Sequence, residues 1–169
     1  MELQTERLFL TPASAGFVQA ILDRDCVKAG ALHQITVPPT WPGSREALDG
    51  LSWHLRAMQA DPNEVPWRIH LVILKDDRIA IGSVNLKGAP KNGEVEIGWG
   101  VLPSMRRMGF ATEAVRAMID WLDQQPEVRR VTATIDDTNT ASIRVAQRFG
   151  FRKTSEIRRE LPVYERVKS

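Results

Sequence analysis

Between residues 94 and 101 apolar and polar positions alternate without a break. Val95, Ile97, Trp99 and Val101 fall on one face, and Glu94, Glu96, Gly98 and Gly100 on the other. That period of two predicts a half-buried strand, which Pro103 ends. The period then lengthens. From about Gly109, Ala111, Ala114, Val115, Met118 and Leu122 recur at helical spacing, and Gln125-Pro126 closes the helix. Val131, Ala133 and Ile135 alternate again as a strand. Strand, helix and strand in one sheet imply a right-handed crossover and a parallel pair.

Upstream, Leu8 and Leu10 alternate with Arg7 and Phe9, predicting a strand over residues 3–10 that ends at Thr11-Pro12. Ser14 caps a helix expected to run to about Ala29, with Gly30 as its stop. Three prolines within residues 37–43 exclude regular structure there and leave Trp41 in a loop. Ser44 then caps a helix whose Leu48, Leu51, Leu55 and Met58 form one apolar stripe.

From Trp67 both faces of the next strand are apolar, since Ile69, Leu71 and Ile73 alternate with His70, Val72 and Leu74; such a strand belongs in the middle of a sheet. Residues 75–78 turn the chain into a returning strand over 79–86. After the crossover come a short helix over 140–149 with Gly150 as a left-handed cap, a strand over 151–157, and a last strand around 163–167. The fold class is α+β, with a mixed, mostly antiparallel sheet of about seven strands and helices on both faces.

At 169 residues, 43% hydrophobic and 26% charged, the chain is expected to form a single domain over residues 1–169. Its lone cysteine, Cys26, excludes an intrachain disulfide, and the charged N-terminus lacks a signal-peptide core, so a cytoplasmic location is expected. No apolar run approaches the roughly 20 residues of a membrane helix, and no membrane partner is expected. The net charge of +2 is mild, although arginines crowd the last third of the chain, which fits a solvated face or attraction of a polyanionic ligand. No recognition motif accompanies them, so nucleic acid is not expected. His33, His54, His70 and Cys26 have no metal-ligand spacing, and no metal is expected.

The chemistry concentrates at Arg106-Arg107-Met108-Gly109-Phe110-Ala111, between a strand and a helix N-terminus. Main-chain N–H groups there lack helical partners, and the helix dipole adds positive potential, so a phosphate or pyrophosphate is the natural occupant. Gly109 and Ala111 admit oxygen atoms close to the main chain, and Arg106 or Arg107 adds charge. No Gly-Lys-Ser/Thr follows, which separates this turn from the phosphate loop of nucleotide hydrolases.

Arg106, Gly109 and Ala111 satisfy the pattern Gln/Arg-x-x-Gly-x-Gly/Ala, and by it the chain resembles the GNAT superfamily of N-acetyltransferases. The resemblance extends through Glu-Val-Glu-Ile-Gly-Trp-Gly-Val-Leu-Pro from Glu94, Gly-Phe-Ala-Thr-Glu-Ala from Gly109, and Asn139-Thr-Ala-Ser142 to Phe151. It also takes in Thr-Glu-Arg-Leu-Phe-Leu from Thr5 and Glu-Leu-Pro-Val-Tyr-Glu-Arg from Glu160. Together these are similar to the branch of ribosomal-protein alanine N-acetyltransferases. Residues 30–66 match nothing in that pattern.

The resemblance implies a single acetyltransferase domain that binds acetyl-CoA where the fourth and fifth strands splay apart. The main chain of about Trp99 to Val101 would pair with the pantetheine, and the pyrophosphate would lie on Arg107, Met108, Gly109, Phe110, Ala111 and Thr112. Asn139 and Ser142 would contact the cofactor. It further implies transfer to a primary amine by direct attack, with Glu96 (or Glu94) as general base and Ser142 as the acid that protonates the thiolate.

Other readings of these residues stay open. A strand glutamate can be merely solvated, Asn139 can be a helix cap, and Ser142 a first-turn residue. Where many superfamily members carry a tyrosine acid this chain has Ala146, and its only tyrosine is Tyr164. The acceptor, a small-molecule amine or a peptide N-terminus, is undetermined, and the branch's habit of dimerising allows a homodimer. The alternative function is a noncatalytic CoA-binding or sensor module with the same fold. Of the tryptophans near the acceptor side, Trp53 is expected to anchor the core and Trp41 to line an acceptor groove.

Overall fold

The alternating segments pair into one sheet in the computed structural model, which describes residues 1–168. The expected first strand is two: β1 (Leu3–Gln4) folds back antiparallel on β2 (Leu8–Pro12), with Leu3 opposite Leu10. The chain turns at Thr5, whose N–H donates to Leu8 O at 2.9 Å. β3 (Ile69–Leu74), β4 (Ala80–Leu86), β5 (Glu94–Val101), β6 (Arg130–Thr134), β7 (Arg152–Arg158) and β8 (Leu161–Val167) complete it in the order β1-β2-β3-β4-β5-β6-β8-β7. Among the described residues the sheet therefore has eight strands rather than seven, and only the β5–β6 pair of neighbouring strands is parallel.

The helix expected from Ser14 to Ala29 is also two: α1 (Ala15–Leu22) and α2 (Cys26–His33). Ser14 caps the first through its hydroxyl, which accepts from Phe17 N at 3.1 Å. Arg24 then turns left-handed at φ 60°, and Asp25 starts a second helix by accepting from Lys28 N at 2.8 Å. An aspartate N-cap inside an apolar-periodic run is the signal that splits the helix. Gly30 is not the stop. It lies within α2, where a β-carbon would stand 2.4 Å from Ile35 O, so close packing is what requires glycine. α3 (Arg45–Ala60) begins at Ser44 as expected and buries Leu51, Leu55 and Met58.

The helices fill two layers. α4 (Phe110–Asp123) and α5 (Thr140–Arg148) lie on one face of the sheet, with Phe110, Val115, Met118, Ile119, Leu122 and Ala146 packed over Val84, Leu86, Val95, Ile97 and Val131. α1, α2 and α3 lie on the other, with Phe17, Leu51, Leu55 and Met58 over Ile69, Leu71 and Ile73. Each large side chain withdrawn this way contributes about 1.5–3 kcal/mol. Truncating one, as in Met118→Ala, costs about 2–5 kcal/mol because the cavity only partly collapses. On that second face the helices cover β2 to β4, and the outward positions of β5 to β8 carry charged side chains instead.

No helix among the described residues is long and apolar enough to cross a membrane.

Candidate active site

β5 and β6 stay together for three residues and then separate. Glu94, Val95 and Glu96 pair with Arg130, Val131 and Thr132, while residues 98–101 of β5 are paired only with β4. Glu96 is the last paired residue, at the vertex of the opening.

Strand geometry fixes which atoms face the gap. Glu96 O accepts from Lys87 N at 2.9 Å and Leu102 N donates to Ile81 O at 2.7 Å, so even-numbered residues point their main-chain groups at β4. The alternation turns those of Trp99 and Val101 the other way, toward an edge that no strand covers among the described residues.

At the end of the same strand the chain passes through a short 3-10 turn (Pro103–Met105) and into the N-terminus of α4. Arg107 at φ 62° and Gly109 at φ 81° are both left-handed, and Gly109 is the N-cap without a capping side chain. The N–H groups of Arg107, Met108, Gly109, Phe110, Ala111 and Thr112 make no hydrogen bond to other described residues. Six consecutive free donors at a helix start form a concavity for an anion. Arg106, Arg107 and Met108 are exposed, whereas the Phe110 ring is buried against the sheet.

Arg7 and Glu113 hold this turn, and neither was expected to contribute. Glu113, in the first turn of α4, receives Arg7 Nε at 2.7 Å, Arg7 N at 2.9 Å and the Thr5 hydroxyl. Arg7 Nη1 donates to Met108 O at 3.0 Å, and the guanidinium lies over the Phe110 ring at 4.3 Å. Burial works against ionisation of Glu113, but the Thr5 and Arg7 hydrogen bonds outweigh it and hold the carboxyl below its ordinary value. The Thr-Glu-Arg-Leu stretch carried the only signal, and its partner lies 106 residues away.

On the face opposite α4 and α5 lies a network of charge. Arg130 bonds Glu94 at 2.5 Å, Glu165 at 2.7 Å and Glu156 at 3.3 Å. Arg158 bonds Glu94 at 2.7 Å and Glu156 at 2.5 Å. Burial opposes ionisation of Glu94, yet the hydrogen bonds and charges of Arg158 and Arg130 prevail and depress its pKa. Several of the crowded arginines are thus paired within the protein. Glu94 is committed to this network on both of its oxygens.

Glu96 is differently placed. Its side chain is 9% exposed. The Thr134 hydroxyl, from the part of β6 just past the vertex, donates to it at 3.2 Å. The Arg159 guanidinium also rests on it, with Arg158 farther off at 3.5 Å. Arg159 sits in the tight β7–β8 turn, where Arg159 at φ 48° and Glu160 at φ 65° are both left-handed, and its own side chain is 58% exposed. A cavity of about 590 Å³ opens beside Glu96, lined also by Lys87, Glu94, Arg130 and Arg158.

Asn139 caps α5 by accepting from Ser142 N at 3.1 Å, so its side-chain oxygen serves the helix. Ser142 is partly buried in the first turn. Because α5 packs on the α4 face, Ser142 starts a helix on one face of the sheet while Glu96 points to the other. Tyr164 is buried in the core under α4.

The burial of two tryptophans differs from expectation. Trp41 is 4% exposed, stacks edge-on to Phe17 at 5.3 Å and donates Nε1–H to Gly82 O at 3.2 Å, which makes it a core anchor. Only one edge of it meets a second cavity, of about 530 Å³, formed with Leu48 and Pro103. Trp53, expected in the core, is 43% exposed, with Arg68 stacked on it at 4.6 Å and Lys87 at 5.9 Å. Burial of a loop aromatic depends on what folds over it, which local pattern does not encode.

The comparisons agree with this architecture. The family model described as Acetyltransferase (GNAT) domain matches residues 7–152. The uncharacterized N-acetyltransferase YjdG of Bacillus subtilis is 32% identical over 82 residues, 48% of this chain and 49% of that protein, so the chain spans about half the length of that relative. The uncharacterized protein YkkB of the same organism is 30% identical over 131 residues, 72% of each. Among solved structures, the ribosomal L7/L12 alpha-N-protein acetyltransferase RimL in complex with coenzyme A shares the fold with a TM-score of 0.64 at 18% identity, over 99% of this chain and 98% of that one. With the family model spanning the split β5–β6 pair and the helix N-terminus beside it, the chain belongs to the GNAT acetyltransferase family.

Proposed function

We propose that the protein transfers an acetyl group from acetyl-CoA to the nitrogen of a primary amine, a peptide N-terminus or a small molecule. The observation that carries this reading is the position of Glu96, at the vertex where a strand edge and an anion-ready helix N-terminus open toward each other. The donors at Arg107 to Thr112 fit a pyrophosphate, and the outward main chain of Trp99 and Val101 fits the amides of a pantetheine arm. RimL's complex with coenzyme A supports the choice of ligand. Acetyl-CoA supplies an activated acyl group, a thioester.

The chain's own residues then have separable tasks. The turn held by Arg7 and Glu113 binds and orients, and the open edge of β5 aligns the thioester with the vertex. Glu96 accepts the proton that the amine must lose, directly or through water, as the carbon–nitrogen bond forms. The carbon–sulfur bond breaks toward the α5 face, where Ser142 is the nearest expected source of a proton for the sulfur. Acceptor and cofactor approach from opposite faces of the sheet, which keeps the two binding surfaces apart. Glu96 is preferred to Glu94 as the base because its close arginine contact comes from Arg159, on an exposed turn, with Arg158 only at 3.5 Å, whereas Arg130 and Arg158 hold the two Glu94 oxygens at 2.5 and 2.7 Å.

The test is acetyl transfer from acetyl-CoA to a panel of primary amines and peptides, for the wild type and Glu96→Gln. The expected result is turnover by the wild type and a loss of 10²-fold or more in kcat in the variant, with the KM for acetyl-CoA unchanged, as for removal of a general base. Full activity of the variant across the pH range excludes Glu96 from that role. Cofactor binding without turnover of any amine selects the noncatalytic alternative.

A further inference from the structure

The cavity beside Glu96 is walled by more positive than negative charge. Lys87, Lys91, Arg129, Arg130 and Arg158 line it, against Glu94 and Glu96. Two of those cations are already matched, because Glu94, Glu156 and Glu165 hold Arg130 and Arg158 at 2.5–3.3 Å. Arg159 matches Glu96. Lys87, Lys91 and Arg129 remain, and none of them has a carboxylate within ion-pairing distance among the described residues.

The backbone aims all three at the cavity. Lys87 lies directly across from Glu96, its N–H donating to Glu96 O at 2.9 Å, so the two side chains leave the same face of the sheet. Lys91 bridges Glu94 across the tight turn of Asn92 and Gly93, with two main-chain bonds of 3.0 Å, and joins that face. Arg129 donates Nη2–H to Asn92 O at 2.9 Å and lies against Gly93, where a β-carbon would stand 2.4 Å from its Nε. Burial lowers the pKa of Lys87 in spite of the Glu96 charge beside it, as for an ammonium short of counter-charge. Past Glu96 the same face of β5 is bare, since a β-carbon at Gly98 or Gly100 would meet no heavy atom within 4 Å. A volume of about 590 Å³ is within the roughly 300–1,000 Å³ of small-ligand pockets.

We propose that the acceptor is a primary amine that also carries a carboxylate, which Lys87, Lys91 and Arg129 hold in this cavity while the amine reaches Glu96. This rests on the acetyl-transfer reading above and names the substrate class for it. An acceptor with further positive charge, such as a polyamine, meets repulsion from the same three groups, and a neutral one gains nothing from them. The carboxylate is supplied by the C-terminus of a short peptide or by an acidic side chain close to a longer N-terminus; the chemistry recognised is the same.

The experiment measures kcat/KM for paired acceptors that differ in one charge, with acetyl-CoA saturating: the dipeptide Ala-Ala against its amide, and Ala-Asp-Ala-amide against Ala-Asn-Ala-amide, with spermidine as the polycation. Wild type, Lys87→Gln, Lys91→Gln and the double variant are compared across a salt series. Wild type is expected to favour the acidic member of at least one pair by roughly fivefold at low ionic strength, with spermidine the poorest acceptor, and the preference should shrink as salt is added. The first pair reports a free terminus and the second an acidic side chain. Each single variant should reduce the acidic-over-neutral ratio, and the double variant should bring it close to one. Lys91 is exposed in its turn, so its variant tests the cavity even if Lys87→Gln lowers the melting temperature.

Equal rates within both pairs, or a preference for spermidine, overturns the proposal. So does an acidic preference that survives in the double variant, or a double variant that raises the KM for acetyl-CoA and leaves the ratio alone, since the cations would then serve the cofactor. A wild type inactive on every amine overturns the acetyl-transfer reading and the proposal with it; an active wild type without charge preference overturns only the proposal.

Discussion

Arg7 and Glu113, 106 positions apart, join the edge of the sheet to the first turn of α4 at 2.6 Å, and the same guanidinium holds the carbonyl of Met108. The anion-ready turn is thus braced by a residue from outside it. Arg7→Ala is expected to cost about 1 kcal/mol of stability, because Arg7 is 43% exposed and its pairing is screened. It should raise the KM for acetyl-CoA severalfold and leave the KM for the amine alone. Calorimetric titration with coenzyme A, paired with thermal melting, checks both halves.

Gly109 is the second left-handed position in that turn, after Arg107. At φ 81° an alanine costs about 1–2 kcal/mol, and its methyl would also touch Arg7 Nη2 at 3.4 Å. Gly109→Ala should therefore lower the melting temperature and weaken coenzyme A binding together. An equally stable variant with unchanged affinity speaks against the turn as the binding element.

Arg159 rests on Glu96 from a solvent-exposed turn, and on the proposed mechanism it must give way before an amine can reach the carboxylate. Arg159→Ala is expected to lower the KM for the amine by a few fold at low salt, and to lessen the dependence of that constant on ionic strength. Steady-state kinetics across a salt series would show it. A raised KM instead identifies Arg159 as a contact to the acceptor.

Two buried histidines tie the stability of the fold to pH. Burial lowers the pKa of His70 to about 4 and that of His54 to about 3, the latter helped by the charges of Lys87 and Arg68. In the unfolded chain each titrates near the ordinary value of 6.5. The unfolded state therefore binds more protons between pH 6.5 and about 4, and stability falls as the pH is lowered through that window. Each histidine contributes about 1.4 kcal/mol per pH unit there. Denaturant melts at pH 7, 6 and 5 should show the fall, and His70→Leu should reduce its slope by about one proton.

The parts of this molecule that were legible in the sequence are those set by local periodicity. β5 announced itself by alternation, α4 by its apolar stripe, and the turn between them by Gly109, because each signal lies within a dozen residues. The split at Asp25 was hidden because the apolar spacing of α1 and α2 runs on almost in phase, and only a capping aspartate marks the break. The burial of Trp41 and the exposure of Trp53 were not legible because burial is decided by elements far along the chain. The same holds for the arginines: Arg130 and Arg158 read as surface charge until four strands bring Glu94, Glu156 and Glu165 to them.

The edge of β5 that faces away from β4 offers only peptide groups, and every amino acid other than proline supplies the same ones. A surface of that kind is blind to most substitutions in its own side chains. The opposite face of the strand is read entirely through side chains and through their omission at positions 98 and 100. One strand thus separates a part of the protein that mutation can hardly retune from a part that a single methyl group can. On the proposed reading, redirecting the enzyme to a different acceptor should then require side-chain changes on the Glu96 face, with the main-chain edge left as it stands.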